Sequence, residues 1–174
     1  MAQTQLTTDR LILRRWRAGD LAPYANICGD PDVMKFIARG AVIAPKQTGE
    51  EIQKMEATWQ ARGFGTFAVE SREAGDLLGS VGFSWHDFLP IVSPCFEIGW
   101  RLAKGTWNKG YATEAAQAAL DHGFESLGLS QVHCFCQTEN LASQRIAAKI
   151  GMDPVDRVIS PTYQREIIIY RTPA

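Results

Sequence analysis

Two neighbouring features of this sequence could together do chemistry: an acid in an apolar strand and a glycine-bearing turn ahead of a helix. Glu97 lies in the apolar run 96–102, and Lys109 and Gly110 precede a helical segment. Glycine has no Cβ, so the backbone N–H groups around Gly110 can point forward unshielded. The first N–H groups of a helix have no partner within it and lie at the positive end of its dipole. The pattern predicts a phosphate or pyrophosphate site beside a carboxylate, and hence an enzyme with a phosphorylated cofactor.

The elements that must position these residues indicate one α/β domain spanning 1–174, with a mixed sheet. Asp20 and Asn140 are each expected to cap a helix, and Thr48 and Glu51 have capping-box spacing. The predicted strands are 10–16, 66–70, 77–85, 96–102, 131–138 and 166–171. The predicted helices begin near Leu21, Thr48, Thr113 and Asn140.

The composition excludes several classes of function. A net charge of -1 and a pI near 6.3 argue against nucleic acid or an anionic membrane as the main partner. The first residues lack the basic start and apolar run of a signal peptide, and no apolar stretch is long enough to span a bilayer. The expected location is therefore cytoplasmic.

No metal site is predicted, because no Cys or His pair has zinc-ligand spacing. The four cysteines are interpreted as free, mostly buried thiols. Among the histidines, we expect His122 on a helix surface and His133 in a sheet. His86, beside Asp87 in a loop, is a candidate active-site residue.

Five short segments, taken in order, resemble the GNAT superfamily of acyl-CoA-dependent N-acyltransferases. The branch that they resemble most is the ribosomal-protein-alanine N-acetyltransferase-like group. The resemblance implies a single GNAT-like α/β domain with a mixed, mostly antiparallel sheet, a splayed central strand pair and helices on both faces. It also implies that a bulge near 99–102 helps to open the splay, so that pantetheine can add itself like a short strand. The segments are 10–14, 97–100, 110–115, 140–143 and 149–152.

Acetyl-CoA is the co-substrate that the resemblance implies. The family pattern Arg/Gln-x-x-Gly-x-Gly/Ala begins at Trp107, has its glycine at Gly110 and ends at Ala112. Asn108 stands where the branch usually has a glycine, and it strains the loop if its φ is positive, although Asn tolerates that better than most residues. The cofactor-binding residues implied are Trp100, Arg101, Leu102, Trp107, Asn108, Lys109, Gly110, Tyr111, Ala112, Thr113 and Asn140.

The implied chemistry is direct transfer of an acetyl group from the thioester to an amine. An amine must lose its proton to attack, so a base is useful at neutral pH. Glu97 is the candidate base; alternatively it is a structural acid paired with Arg101. Many family members protonate the leaving thiolate with a Tyr at the position of Ala147, so Ser143 is the substitute candidate, or else a plain first-turn helix residue.

Several further alternatives stay open. Asn140 is an ordinary helix cap, a pantetheine ligand or both, and Lys109 either contacts phosphate or is merely solvated. The loop 86–94 either lines a substrate cleft or packs over the sheet edge. The acceptor is a protein N-terminus or a small amine such as a polyamine, amino acid or antibiotic, held by loops 38–46 and 86–94, in a monomer or homodimer. A competing hypothesis is a non-catalytic acyl-CoA sensor.

Overall fold

The computed structural model describes residues 5–37, 39–87, 89–162 and 164–173. Within these residues the chain forms an eight-stranded sheet in the order β1-β2-β3-β4-β5-β6-β8-β7. The strands are β1 (Gln5–Thr7), β2 (Leu11–Arg14), β3 (Thr66–Ser71), β4 (Leu77–His86), β5 (Cys95–Leu102), β6 (His133–Gln137), β7 (Asp153–Ile159) and β8 (Glu166–Arg171). The helices are α1 (Leu21–Cys28), α2 (Pro31–Met34), α3 (Pro45–Arg62), α4 (Tyr111–Glu125) and α5 (Leu141–Lys149).

The centre of the sheet is splayed, as the resemblance implied. β4 and β5 pair antiparallel along all of β5 without a register shift. β5 and β6 run parallel, and the described residues pair only where Glu97 meets His133. Beyond Glu97 the two strands diverge and leave one side of β5 without a strand partner. The expected bulge near 99–102 is wrong, because the β4–β5 register is continuous there.

Helices cover both faces of the sheet, because side chains alternate between the faces along each strand. On β3, Phe67 and Val69 belong to a large core with α4 and α5. Ala68, between them, packs in a second core with α1 and α2. The predicted mixed sheet with helices on both faces is confirmed.

Two helix starts differ from the prediction. α3 begins at Pro45 rather than Thr48, since proline suits the first helical position. The side chain of Gln47 accepts a hydrogen bond from the Ala44 N–H, and Thr48 is buried inside the helix. α4 begins at Tyr111 rather than Thr113.

The two predicted single-residue caps have different outcomes. Asp20 precedes α1 but makes no side-chain cap bond to it; its carboxylate binds the Arg14 guanidinium and the Arg17 N–H instead. Asn140 does cap α5, with its Oδ1 accepting from the Ser143 N–H at 3.2 Å.

The edge strands β1 and β7 are absent from the prediction. β7 carries a proline and charged residues and is almost wholly exposed, so its sequence has no apolar alternation to detect. His122 was wrongly expected at the surface: it is buried and lies edge-on to Phe67. His133 lies in β6 as expected, and all four cysteines are free and buried. None of the helices described is long and apolar enough to cross a membrane.

Candidate active site

A cavity of about 670 Å³ opens where β5 diverges from β6 and where α4 begins. Its volume falls in the range of ordinary ligand pockets, about 300–1,000 Å³. Every predicted cofactor-binding residue except Lys109 lines it. The carbonyl of Lys109 accepts a hydrogen bond from the Arg10 guanidinium instead. Four basic residues that the sequence reasoning missed also line this cavity: Lys35, Lys104, Arg145 and Lys149.

The turn before α4 has the backbone conformation that an anion cradle needs. Asn108 and Gly110 both lie in the left-handed region, with φ of 60° and 82°. The condition under which Asn108 strains the loop, a positive φ, is therefore met. Gly110 is the N-cap of α4, so the N–H groups of the first helical turn, in residues 111–113, have no partner within the helix. Those residues line the cavity, so the positive end of α4 lies at its wall.

One side of β5 supplies backbone groups to the same cavity. The Ala103 N–H donates to the Leu78 carbonyl on β4. Because alternate residues of a strand direct their backbone groups to opposite sides, Trp100 and Leu102 direct theirs into the splay. The Leu102 carbonyl accepts from the indole Nε1–H of Trp107 at 2.9 Å, which fixes the turn against the strand. An extended chain can therefore pair with β5 at this point.

A second cavity, of about 320 Å³, lies against the central strands. Glu97, Gly99 and Arg101 alternate along β5 and line it together with Ser80 and Ser84 of β4. Six residues line both cavities, so the two meet in one place: Phe36, Ile37, Trp100, Arg101, Asn140 and Ser143. Glu97 lines the second cavity only.

Glu97 is paired, but not with Arg101. Its Oε2 lies 2.5 Å from the Nε2 of His86, which projects from the end of β4. Arg101 instead binds Glu51 of α3, with Nη1 2.8 Å from Oε2, and its guanidinium lies over the Tyr24 ring. The alternative of a Glu97–Arg101 ion pair is therefore wrong, since α3 brings a different carboxylate to Arg101.

Burial shifts the pKa values of three side chains around these two ion pairs. Burial alone lowers the pKa of Arg101, but nearby groups, Glu51 among them, raise it above its ordinary value. Burial raises the pKa of Tyr24, whose hydroxyl lies 2.9 Å from the Ser80 hydroxyl. Burial, together with the Glu97 charge, raises the pKa of Cys95 to about 11. The cysteine and tyrosine are therefore neutral at neutral pH, and Arg101 is charged.

The walls of the second cavity come from helices that the sequence reasoning did not connect with function. Tyr24 of α1 and Glu51 and Met55 of α3 line it, whereas the described residues of loops 38–46 and 86–94 line neither cavity. Ala38 and Phe88, which belong to the two predicted acceptor loops, lie outside the described residues. Nothing in the helical patterns of α1 and α3 distinguishes these wall residues from ordinary core residues.

Ser143 lies where the two cavities meet. Its Oγ accepts a hydrogen bond from the Trp100 indole Nε1–H at 3.3 Å, which leaves the hydroxyl proton available for another acceptor. Ala147, one turn further along α5, is fully buried in the core, so no side chain there reaches the cavity.

A splayed β5, a left-handed turn and a helix N-terminus together match a known family. Residues 10–153 match the model of the acetyltransferase (GNAT) domain. The chain belongs to the GNAT acetyltransferase family. It is thus an enzyme of the N-acetyltransferase class, and acetyl-CoA is the expected co-substrate.

Individual GNAT proteins resemble the chain over most of its length. It is 33% identical to the uncharacterized N-acetyltransferase YnaD of Bacillus subtilis (strain 168), over 84% of this chain and 81% of that one. The crystal structure of an acetyltransferase from Agrobacterium tumefaciens str. C58 is 27% identical, with a TM-score of 0.82, covering 100% of this chain and 96% of that one. A spermidine N-acetyltransferase from Vibrio cholerae, solved with CoA and spermine, is 18% identical with a TM-score of 0.77, covering 94% and 95%, and shares the fold.

Proposed function

We propose that this GNAT enzyme transfers the acetyl group of acetyl-CoA directly to a primary amine, with Glu97 as the general base. The observation that carries the proposal is the meeting of the two cavities at Trp100 and Ser143, with Glu97 on the acceptor side only. A cofactor in the larger cavity and an amine in the smaller one can therefore react where the cavities join. Proximity of this kind removes much of the entropic barrier to a two-substrate reaction.

The residues of the larger cavity suit CoA. The left-handed turn at Asn108 and Gly110 and the N-terminus of α4 offer backbone donors to a pyrophosphate. Arg145 and Lys149 add positive charge to the cavity wall, whereas the Lys104 ammonium is paired with Asp32. The unpaired side of β5 can bond the amides of a pantetheine arm, as a neighbouring strand would.

The proposed reaction begins with the acceptor ammonium losing a proton to Glu97, directly or through a water. His86 binds Glu97 Oε2, so the carboxylate is held in one orientation and its other oxygen is left for the amine. The amine nitrogen then forms a bond to the acetyl carbon, and a β5 backbone N–H stabilises the oxyanion. The carbon–sulfur bond breaks, and the thiolate takes a proton from the Ser143 hydroxyl. The Ser143 alkoxide takes back, through a water, the second proton that leaves the nitrogen as the amide forms, and Glu97 gives its proton to solvent.

The acceptor is a primary amine of either predicted kind, a protein N-terminus or a small molecule. A cavity of about 320 Å³ has room for one residue of a polypeptide or for a small amine. The expected partners remain amine-bearing acceptors rather than nucleic acid or membrane, and the expected state is a cytoplasmic monomer or homodimer.

The test combines calorimetry with release of CoA thiol over a panel of amines. The wild-type enzyme should bind acetyl-CoA but neither ATP nor NAD, and should release CoA with at least one amine. Glu97→Gln should lower kcat/KM by roughly 10²–10⁴-fold near pH 7, the range for loss of a general base, with acetyl-CoA binding unchanged. Glu73→Gln is the matched control, because Glu73 is exposed in the turn between β3 and β4.

Two results would contradict the proposal. Unchanged activity of Glu97→Gln both below pH 7 and above pH 8 would remove Glu97 as the base. Acetyl-CoA binding without turnover of any amine in the wild type would favour the non-catalytic sensor.

A further inference from the structure

Arg10 binds the cofactor turn from a distant part of the chain. Its Nη1 donates to the Lys109 carbonyl at 2.9 Å. Its Nε and Nη2 lie 2.7 and 2.6 Å from Glu114 Oε2, and its guanidinium carbon lies 4.5 Å from the centre of the Tyr111 ring. One side chain on the β1–β2 connection thus contacts the turn and the first turn of α4 together.

The contact to Lys109 holds the turn in the conformation that exposes its N–H groups. Lys109 lies between the two left-handed residues, Asn108 and Gly110. A non-glycine residue in the left-handed region costs about 1 kcal/mol or more, so Asn108 needs support from its surroundings. A charge-assisted bond to the neighbouring carbonyl supplies that support and turns the carbonyl away from an incoming anion.

The contact to Glu114 neutralises a negative charge beside the proposed anion site. An acid in the first turn of a helix stabilises the helix, but here it also lies beside a site for a pyrophosphate. Glu114 accepts from the Thr8 hydroxyl, the Arg10 N–H and the Arg10 guanidinium. Burial alone raises the pKa of Glu114, but these donors lower it below its ordinary value, so the acid stays ionised. Without Arg10 its negative charge would repel phosphate.

We propose that Arg10 is a positioning residue for the cofactor: it holds the Lys109 turn open and neutralises Glu114, so that the turn binds a pyrophosphate. The inference rests on the proposed function, because it assigns the turn to the pyrophosphate of acetyl-CoA. Arg10 acts through the turn and through Glu114 rather than on the acetyl group.

The test compares acetyl-CoA with S-acetylpantetheine, a thioester that lacks the pyrophosphate. Arg10→Gln should weaken the Kd for acetyl-CoA roughly tenfold, the loss expected for one charge-assisted hydrogen bond. The same variant should turn over S-acetylpantetheine as fast as the wild type, because that substrate does not use the turn. Arg10→Lys keeps the charge but cannot make the forked contact. Its Kd for acetyl-CoA should therefore lie between those of the wild type and Arg10→Gln.

The control is Arg157→Gln, which removes another surface arginine paired with a glutamate, Glu166, at the far edge of the sheet. It should leave both substrates unaffected. Equal losses for the two substrates in Arg10→Gln, or no loss for either, would overturn the inference. Failure of the proposed function looks different, because the wild type itself would then bind no acetyl-CoA, or would bind it without acetylating any amine.

Discussion

The two cavities share a border, yet the chain builds them in opposite ways. The larger cavity, the proposed cofactor cavity, takes half of its lining residues from one continuous segment, 100–113, and presents backbone groups whose direction depends on local conformation. The acceptor cavity collects single side chains from α1, α3 and five strands. The first site therefore depends on the φ values of a few residues, whereas the second depends on side-chain volume and charge brought together by the fold.

After Glu97→Gln, the largest effect that separates the two cavities should come from Gly99→Val. A Cβ at Gly99 meets nothing within 4 Å, and Gly99 lines the acceptor cavity only. The added side chain should therefore leave the fold intact but occupy acceptor space, at a cost of about 2 kcal/mol, or roughly 30-fold in acceptor kcat/KM. Steady-state kinetics measure the acceptor kcat/KM, and calorimetry measures the affinity for acetyl-CoA. An equal loss of acetyl-CoA affinity would show that the cavities are not independent.

A smaller effect on the acceptor side is expected from His86→Ala. Loss of the bond to Glu97 should lower kcat about tenfold, since a hydrogen bond to a charged group contributes about 1.5–3 kcal/mol. The KM for acetyl-CoA should not change. His86→Gln keeps an N–H donor and should restore most of the rate. If Gln is no better than Ala, the hydrogen bond is not what His86 contributes.

Gly110→Ala tests the cofactor side in the same way. At φ of 82° an alanine costs about 1 kcal/mol or somewhat more, and its Cβ would lie 3.3 Å from Arg10 Nη2. We expect acetyl-CoA binding to weaken about fivefold while acceptor KM stays constant. Gly105→Ala, where a Cβ meets nothing within 4 Å, is the matched control. Similar losses in both variants would contradict a role for the left-handed turn.

The smallest expected effect is on stability rather than on either cavity, and it comes from two buried histidines. Burial lowers the pKa of His122 and of His133, so the folded protein favours their neutral forms. The unfolded chain takes up protons at these histidines near pH 6.5, and stability is therefore full above that pH and falls as the pH drops below it. Denaturant unfolding at pH 7.5 and 5.5 measures this. His122→Phe should reduce the pH dependence; an unchanged dependence would exclude His122 as its source.

Sequence reasoning named ten of the residues that line the larger cavity, whose role in binding acetyl-CoA stays a proposal. The glycine turn, the helix start and the strand before it are local features, and the cradle is formed by their backbone. The splay follows from the family resemblance, but the expected bulge does not occur, because β4 and β5 keep one register. The predicted starts of α3 and α4 were each a few residues too late. α3 begins at Pro45, ahead of the capping pattern at Thr48, and α4 begins directly after the left-handed Gly110, ahead of the apolar spacing that suggested Thr113.

The acceptor side could be predicted only in part. Glu97 and Ser143 were named from their motifs, but their partners are distant in sequence: His86 for Glu97, and Trp100 for Ser143. Glu51 was assigned to a capping box and instead binds Arg101. A carboxylate has no sequence signature that tells which arginine it will meet.

The sequence by itself therefore determined the family, the sheet with helices on both faces and the glycine-bearing turn ahead of α4, because each depends on local periodicity or on residues adjacent in the chain. The tertiary structure decided which charges pair, which side chains line the acceptor cavity and how Arg10 reaches Lys109 and Glu114 across about a hundred residues. Those contacts depend on how strands and helices pack, and packing brings together residues that no spacing in the sequence connects.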